Sequence, residues 1–192
     1  IPIKTSLLSG KQRETAYELI RNEVIQGNKA YVVLPLVEDS EKLDLRSAVE
    51  VHRFLSDHIF PDFNVGLLHG RLNSNEKQKV IDEFTNGECN ILVSTTVVEV
   101  GVDVPSASVI MIDNADRFGL AQLHQLRGRV GRSSKQSYCL LINENSNSLS
   151  NQRLEVLERS NDGFEISEMD LKLRGPGQVL GTRQSGLPDF AL

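Results

Sequence analysis

The residues with the clearest chemical potential form a basic segment in the second half of the chain. It reads Gln122-Leu-His-Gln-Leu-Arg-Gly-Arg-Val-Gly-Arg132 and contains no acidic side chain. Arg129 and Arg132 are three residues apart, a spacing that puts two side chains on one face, although Gly128 and Gly131 interrupt a smooth helix. Two guanidinium groups aimed at one point suit a phosphate, and phosphoryl transfer in particular. The alternative is a solvated basic helix end.

Two more loops carry polar groups directly after predicted strands. The loop Ser94–Pro105 and the loop Leu67–Leu72 contribute the candidates Thr95, Thr96, Gly101, Asp103, His69, Gly70 and Arg71. Hydroxyl and backbone N–H groups at such positions hold nucleic-acid backbone phosphates without reading bases, and Asp103 can accept from a ribose hydroxyl. The alternatives are a tight loop with Asp103 as a local cap and an ordinary turn at His69.

Several expected parts of a nucleotide enzyme are missing from this sequence. No phosphate loop of the form G-x-x-x-x-G-K-[ST] is present. Val80-Ile81-Asp82-Glu83 resembles an Mg²⁺-binding acidic strand, but its pattern favours the surface of an amphipathic helix. The four histidines do not pair at i, i+4 spacing. We therefore expect no metal ligands in this chain.

The elements that must position these loops alternate between short apolar runs and amphipathic segments. The apolar runs predict five strands, at 30–34, 65–68, 90–94, 109–112 and 138–142. Helical periodicity separates them, for example over Lys11–Gln26. This alternation predicts an α/β fold with an open, mainly parallel sheet covered by helices on both faces. Ligands of such sheets bind beyond the carboxyl ends of the strands, where the candidate loops lie.

The carboxyl-terminal quarter follows a different pattern. A polar linker rich in Asn and Ser covers Asn143–Asn151, and beyond it we expect two or three short helices and no strand. The sequence therefore predicts a main domain over residues 1–147 and a small helical hairpin region over residues 148–192.

Composition limits the class of protein. The chain has 192 residues, of which 39% are hydrophobic and 24% charged, which fits one globular domain with a small appendage. No apolar run approaches the ~20 residues of a membrane-spanning helix. A net charge of −5 argues against nucleic-acid binding through bulk charge. Cys89 and Cys139 lack metal-ligand spacing, so we expect two buried reduced thiols in an intracellular protein. The chain begins without Met or a signal peptide, and we expect it to be part of a longer protein.

In their order along the chain, these segments resemble the second RecA-like domain of superfamily-2 helicases. Gln122–Arg132 matches motif VI, Q-x-x-G-R-x-G-R, and Thr95–Asp103 resembles motif V. Val32–Val37 and Leu68–Arg71 resemble motifs IV and IVa. The tail is similar to the helical-hairpin translocation motif that RecG shares with Mfd, and its Thr-Arg-Gln-Ser-Gly run over residues 182–186 is more like RecG. The chain is identified as a RecG-type sequence.

The resemblance implies specific roles. ATP with Mg²⁺ is expected between two RecA-like lobes, with the phosphate loop and the Mg²⁺ ligands on the other lobe. The implied catalytic residues are Arg129 and Arg132, and the implied nucleotide-binding residues are Gly101, Asp103, Gln125 and Gly128. The implied contacts to the DNA backbone are His69, Gly70, Arg71, Thr95 and Thr96. The implied translocation hairpin includes Arg174, Gly177, Arg183, Gln184 and Gly186.

The expected partners are branched duplex DNA, such as forks and Holliday junctions, and the first lobe of the same chain. The protein is expected to be monomeric, to have no membrane partner, and to occupy the bacterial cytoplasm or a plant chloroplast or mitochondrion. This chain alone is expected not to hydrolyse ATP. Three alternatives stay open: a non-catalytic nucleic-acid or protein-binding module of helicase-like fold, the equivalent half of an RNA helicase, and an Mfd-like translocase.

Overall fold

The computed structural model describes residues 1–36, 41–95, 104–145, 147–174, 182–184 and 186–188. The strands are β1 (Lys4–Ser9), β2 (Lys29–Val33), β3 (Val65–Leu68), β4 (Ile91–Ser94), β5 (Ala107–Ile112), β6 (Tyr138–Asn143), β7 (Thr182–Gln184) and β8 (Gly186–Pro188). The helices are α1 (Arg13–Ile25), α2 (Glu41–Phe54), α3 (Ser74–Asn86), α4 (Leu120–Arg127), α5 (Ser148–Arg159) and α6 (Gly163–Arg174).

The main sheet has six parallel strands in the order β1-β6-β5-β2-β4-β3. Its central strands are continuous apolar runs, because both of their faces are covered. Side chains alternate between the faces, so that Tyr31 and Val33 enter one core cluster while Ala30 and Val32 enter the other. The predicted parallel sheet with helices on both faces is confirmed.

The helices divide between the two faces of the sheet. Ala16 and Ile20 of α1 pack in one cluster, together with Ala48 of α2. Phe84 of α3 and Leu123 of α4 pack in the other. The motif that contains Arg129 and Arg132 therefore follows a helix whose apolar side is fixed against the sheet.

Two features of the sheet differ from the sequence prediction. The strand β1 was not predicted, because KTSLLS lies at the edge of the sheet, is only half-buried, and has few apolar residues. The expectation that no strand follows the linker at Asn143–Asn151 is wrong, since β7 pairs antiparallel with β8. Three-residue strands are too short to show a period-2 pattern in sequence.

The predicted helical region is present as α5 and α6, although α5 begins at Ser148, inside the predicted linker, and Asn143 is the last residue of β6. Leu154 and Leu157 of α5 and Ile166 of α6 are fully buried in the cluster that also holds α4. These two helices therefore share a core with the sheet domain. The division at residues 147 and 148 stays a prediction.

Candidate functional site

The predicted site loops come together at the carboxyl edge of the sheet. The backbone N–H of Thr95 donates to the carbonyl of Leu68 at 3.1 Å, and that of Leu34 donates to Ser94 at 2.9 Å. The N–H of Asp113 donates to the carbonyl of Val33 at 2.8 Å. The chain segments that follow β3, β4, β2 and β5 are therefore neighbours, as expected for parallel strands.

The turn at His69 presents polar groups on this edge. The backbone N–H of Arg71 donates to His69 Nδ1 at 3.2 Å, so that Nδ1 acts as an acceptor and the ring proton sits on Nε2. Burial lowers the pKa of His69, Lys77 and Arg71 lower it further, and Glu76 opposes the shift. Gly70 and Arg71 are exposed. A neutral imidazole donor and an exposed guanidinium are suited to contact a phosphate backbone.

Helix α3 begins directly after this turn with a complete capping box. The Asn73 side chain accepts from the N–H of Glu76 at 2.8 Å, and the Glu76 carboxylate accepts from the N–H of Asn73 at 2.9 Å. The turn is therefore fixed at both ends, by β3 and by the start of α3. Val80-Ile81-Asp82-Glu83 lies within α3, which confirms that this stretch is a helix and not an acidic strand.

Apart from those in the basic segment, the remaining predicted residues lie either outside the described residues or in the carboxyl-terminal region of the chain. Thr96, Gly101, Asp103 and Gly177 lie outside the described residues. Arg174 ends α6, while Arg183, Gln184 and Gly186 belong to the β7–β8 ladder, in which Arg183 pairs with Leu187 and Gln184 with Gly186.

The arginine motif follows the end of α4 as a turn and not as a continuous helix. Gln125 is exposed on α4, and the helix ends at Arg127 with Gly128 as its cap. Arg129 is half-buried and its N–H donates to Leu126 at 3.0 Å, whereas Arg132 is exposed and its Nε donates to the carbonyl of Gly128 at 3.2 Å. The interruption of the helix that Gly128 and Gly131 predict is therefore present, and the shared face of Arg129 and Arg132 stays a prediction.

Two neighbours fix the turn between the arginines. Val130 is 2% exposed and packs in the core, which anchors the backbone midway between Arg129 and Arg132. Gly131 has a φ of +85°, a conformation that favours glycine. Arg129 and Arg132 thus belong to a backbone segment that is anchored to the core through Val130.

Sequence reasoning missed a group beneath this turn. Arg127 was counted with the basic segment, but it is 2% exposed and lies among core side chains. A signal for this was present, because Leu120, Leu123 and Arg127 follow the i, i+3, i+7 pattern of a buried helix face. Arg127 supports the site from inside and does not face a ligand at the surface.

Sequence analysis also misses a charged cluster at the carboxyl edge of the sheet. Nη2 of Arg13, at the start of α1, lies 2.7 Å from Oδ1 of Asp113 and also bonds the carboxylate of Glu144. Burial acts to lower the pKa of Arg13, but its bonds to Glu144 and Asp113 outweigh that effect and raise the pKa. The cluster ties α1 to the ends of β5 and β6. No sequence spacing relates these three positions.

Helix α5 is bonded to the loop that leads into α4. Nη2 of Arg153 donates to the carbonyls of Asp116 and Phe118 at 2.7 and 2.8 Å. The start of α4, the helix that precedes the arginine turn (residues 128–132), is therefore held by α5.

Within the described ranges, no cluster of three or more His, Cys, Asp or Glu side chains is arranged to hold a metal ion. The same part of the chain contains no helix of sufficient length and apolar character to cross a bilayer.

Comparison with protein families gives two matches along the chain. Residues 11–134 match the family described as Helicase conserved C-terminal domain. Residues 160–192 match the family described as ATP-dependent DNA helicase RecG, domain 3, C-terminal. The first match contains the arginine turn, and the second contains α6 and the β7–β8 ladder.

Individual relatives agree with these matches. The chain is 60% identical over 191 residues to the ATP-dependent DNA helicase RecG of Synechocystis, an alignment that covers 100% of this chain and 23% of that protein. The chain therefore spans about a quarter of the length of this curated relative.

Two solved structures resemble the fold. The structure of RecG bound to a three-way DNA junction gives a TM-score of 0.78 at 45% identity, covering 93% of this chain and 23% of that one. Domain 2 of the DEAD-box helicase Mss116p, bound to an RNA duplex, gives a TM-score of 0.64 at 20% identity, covering 82% of this chain and 61% of that one. At that identity the second likeness shows the fold alone.

Proposed function

Because this chain belongs to the helicase conserved C-terminal domain family, with the RecG type and RecA-like fold that its sequence predicts, we propose that it is one half of a motor acting on branched DNA. In this proposal it is the carboxyl-side lobe of an ATP-dependent translocase that reverses forks and migrates Holliday junctions. The first RecA-like lobe, which in this proposal belongs to the longer parent protein, completes the motor. The protein acts as a monomer.

The observation that carries the proposal is the rigid arginine turn. Arg129 and Arg132 flank the buried Val130 and the left-handed Gly131, so their backbone is fixed before any phosphate arrives. Preorganised guanidinium groups stabilise charge that develops on phosphoryl oxygens. The donor chemistry therefore fits the triphosphate of ATP. Gln125 and Gly128 of this motif, together with Gly101 and Asp103, line the nucleotide in the proposed site.

The other lobe supplies what this chain lacks in the proposal. The phosphate loop, whose G-x-x-x-x-G-K-[ST] pattern is absent from this sequence, and the Mg²⁺ ligands belong to that lobe in the proposal. ATP hydrolysis accordingly needs both lobes, and this chain alone is inactive. In the proposal, closing and opening of the cleft between the two lobes couples ATP hydrolysis to movement on DNA.

The carboxyl edge of the sheet is the proposed grip on the DNA backbone. His69 offers an imidazole N–H, and Gly70 and Arg71 are exposed beside it. Thr95 follows the adjacent strand, and Thr96 comes next in the sequence. These donors hold phosphates and sugars without reading bases, which suits a translocase that must move over any sequence.

The region after α5 is the proposed transmitter to duplex DNA. In this role, residues 148–192 act as a translocation hairpin region distinct from the motor domain at residues 1–147. Its polar contacts in the proposal are Arg174, Arg183 and Gln184, and its other proposed members are Gly177 and Gly186. The bonds from Arg153 to the loop before α4 support this role, because they join α5 to the helix that precedes the arginine turn.

The test measures ATP hydrolysis by the full-length protein with forked duplex DNA, linear duplex DNA and duplex RNA. We compare wild type with Arg132→Ala, and use Lys135→Ala as the matched control, since Lys135 is an exposed cation three residues further on. The fork is expected to stimulate the wild type most. Arg132→Ala is expected to lower kcat by about 10³-fold while ATP binding persists, and Lys135→Ala to behave as wild type.

Other outcomes overturn the proposal. An indifferent Arg132→Ala variant removes the catalytic role of the arginine turn. Equal stimulation by linear duplex DNA contradicts the branched-DNA assignment. Stronger stimulation by duplex RNA favours the RNA helicase alternative, and robust hydrolysis by the 192-residue chain alone contradicts the two-lobe site.

A further inference from the structure

We propose that Arg127 and His124 are positioning residues, which hold the end of α4 so that Arg129 meets the phosphate in one orientation. The proposal rests on the function proposed above, in which Arg129 acts on the nucleotide. Neither Arg127 nor His124 touches the substrate in this role. Both act through the backbone of the arginine turn.

Arg127 joins three separate elements through its guanidinium group. Nη1 donates to the carbonyl of Leu157 in α5 at 2.7 Å and to Oγ1 of Thr5 in β1 at 3.1 Å. Nη2 bonds Nδ1 of His124, one turn earlier in α4, at 2.9 Å. The rigid planar fork of arginine fixes the directions of all these bonds together.

The chemistry of these bonds indicates a geometric role. The partners of Arg127 are a hydroxyl, a carbonyl and a ring nitrogen, and none is a carboxylate. Burial lowers the pKa of Arg127, as expected for a buried cation whose partners carry no negative charge. An apolar side chain would fill this place on the buried face of α4 without burying a charge. What arginine adds is a set of directed donors that an apolar residue lacks.

His124 is fixed in one protonation state by the same contact. The guanidinium group can only donate, so Nδ1 of His124 must accept and the ring proton lies on Nε2. That edge of the ring faces α6, where a Cβ at Gly163 would lie 2.9 Å from Nε2. The imidazole is therefore held between Arg127 and the first residue of α6.

The backbone carries this constraint to the arginine turn. The N–H of Gly128 donates to the carbonyl of His124 at 3.1 Å, and the N–H of Val130 donates to that of Arg127 at 3.3 Å. Arg129 lies between these two anchored residues. A change in the position of the Arg127 side chain therefore shifts the backbone of Arg129. A displacement of about 1 Å in a catalytic group can lower a rate by ~10²-fold.

A double-mutant cycle in the full-length protein separates positioning from a merely structural role. The variants are Arg127→Met, Arg129→Ala and the double variant that carries both changes. For each, kcat and KM for ATP are measured at saturating forked DNA, and the free energy of unfolding is measured in parallel. We expect Arg127→Met to lower kcat by on the order of 10–10²-fold with little change in KM. In the Arg129→Ala background the same change should lower kcat less than about threefold, because both variants remove one effect.

A second pair of variants tests His124. His124→Asn keeps an acceptor close to the position of Nδ1, and is expected to keep kcat near wild type. His124→Leu removes that acceptor and is expected to behave like Arg127→Met. If Arg127→Met does not fold, Arg127→Lys, which keeps the charge but loses the fork, replaces it in the cycle with the same expectation.

The outcomes separate this proposal from the one on which it rests. Equal losses of kcat in both backgrounds mean that Arg127 acts on the fold alone, and overturn the positioning role. The positioning role is also overturned if Arg127→Met or Arg127→Lys leaves kcat unchanged while Arg129→Ala lowers it. If Arg129→Ala itself leaves kcat unchanged, the proposed function fails, and the positioning role fails with it. Equal activity of His124→Asn and His124→Leu overturns the part assigned to His124.

Discussion

Gly131 lies directly against Ile3, so that a Cβ at position 131 would come within 2.8 Å of Ile3 Cγ1 and 3.0 Å of Cδ1. Ile3 precedes β1, the edge strand whose Thr5 also accepts a hydrogen bond from Arg127. The turn that contains Arg129 and Arg132 thus packs against residues near the amino terminus of the chain. The edge strand is therefore part of the candidate site and more than a border of the sheet.

Gly131→Ala is expected to destabilise the chain through this contact and through its backbone. A φ of +85° disfavours alanine by about 1–2 kcal/mol, and the clash with Ile3 adds to that. Gly87→Ala is the matched control, since Gly87 has a φ of +91° but an added Cβ there would meet no atom of the described residues within 4 Å. Urea unfolding of both variants measures the difference, and equal losses would show that the Ile3 contact contributes nothing.

The predicted and the missed features differ in where their information lies. Residues 109–112 of β5 are a continuous apolar run, so the local pattern is enough to predict this strand. Gln122–Arg132 is recognisable in the sequence because it has arginines without acidic residues and matches the pattern Q-x-x-G-R-x-G-R. The contacts of Arg127 with Thr5 and Leu157 join residues far apart in the sequence, and no local pattern encodes them. The residue types of the site are therefore predictable from the sequence, while the long-range hydrogen bonds of Arg127 are not.

Asp113→Asn is expected to weaken the cluster at the carboxyl edge of the sheet. The Asp113 side chain is 14% exposed and bonds Arg13 at 2.7 Å, so its loss should lower the free energy of unfolding by about 1–3 kcal/mol. The control is Glu144→Gln, which alters the more exposed partner, 49% accessible, and should change that free energy by less than about 1 kcal/mol. Urea titrations provide both values. A larger loss in Glu144→Gln would reverse the assigned importance of the two carboxylates.

Both cysteines are expected to be unreactive in the folded chain. Burial raises the pKa of Cys89 to about 11 and that of Cys139 to about 12, so almost no thiolate is present at pH 8. A chromogenic aromatic disulfide reagent should modify neither thiol in native buffer and both in concentrated urea. Rapid reaction of one thiol without urea would contradict the buried, protonated state.

The stability of the chain is expected to fall on acidification, in part through His124. Burial lowers the pKa of this imidazole, the charge of Arg127 lowers it further, and Asp162 opposes the shift. The folded state then binds fewer protons than the unfolded state, whose His124 titrates near 6.5. The contribution of neutral His124 to the free energy of unfolding is therefore complete above pH 6.5. It is lost as the pH falls through 6.5 toward the lower pKa that His124 has in the folded state.

The variant His124→Asn isolates this contribution, because the amide oxygen can still accept from Arg127 but does not titrate. Free energies of unfolding measured at pH 7.5 and at pH 5.5 should differ less in this variant than in wild type. Since burial also lowers the pKa of His69, part of the dependence should remain and should shrink further in the double variant with His69→Asn. An unchanged pH dependence in His124→Asn would show that the bond from Arg127 does not hold His124 in its neutral form.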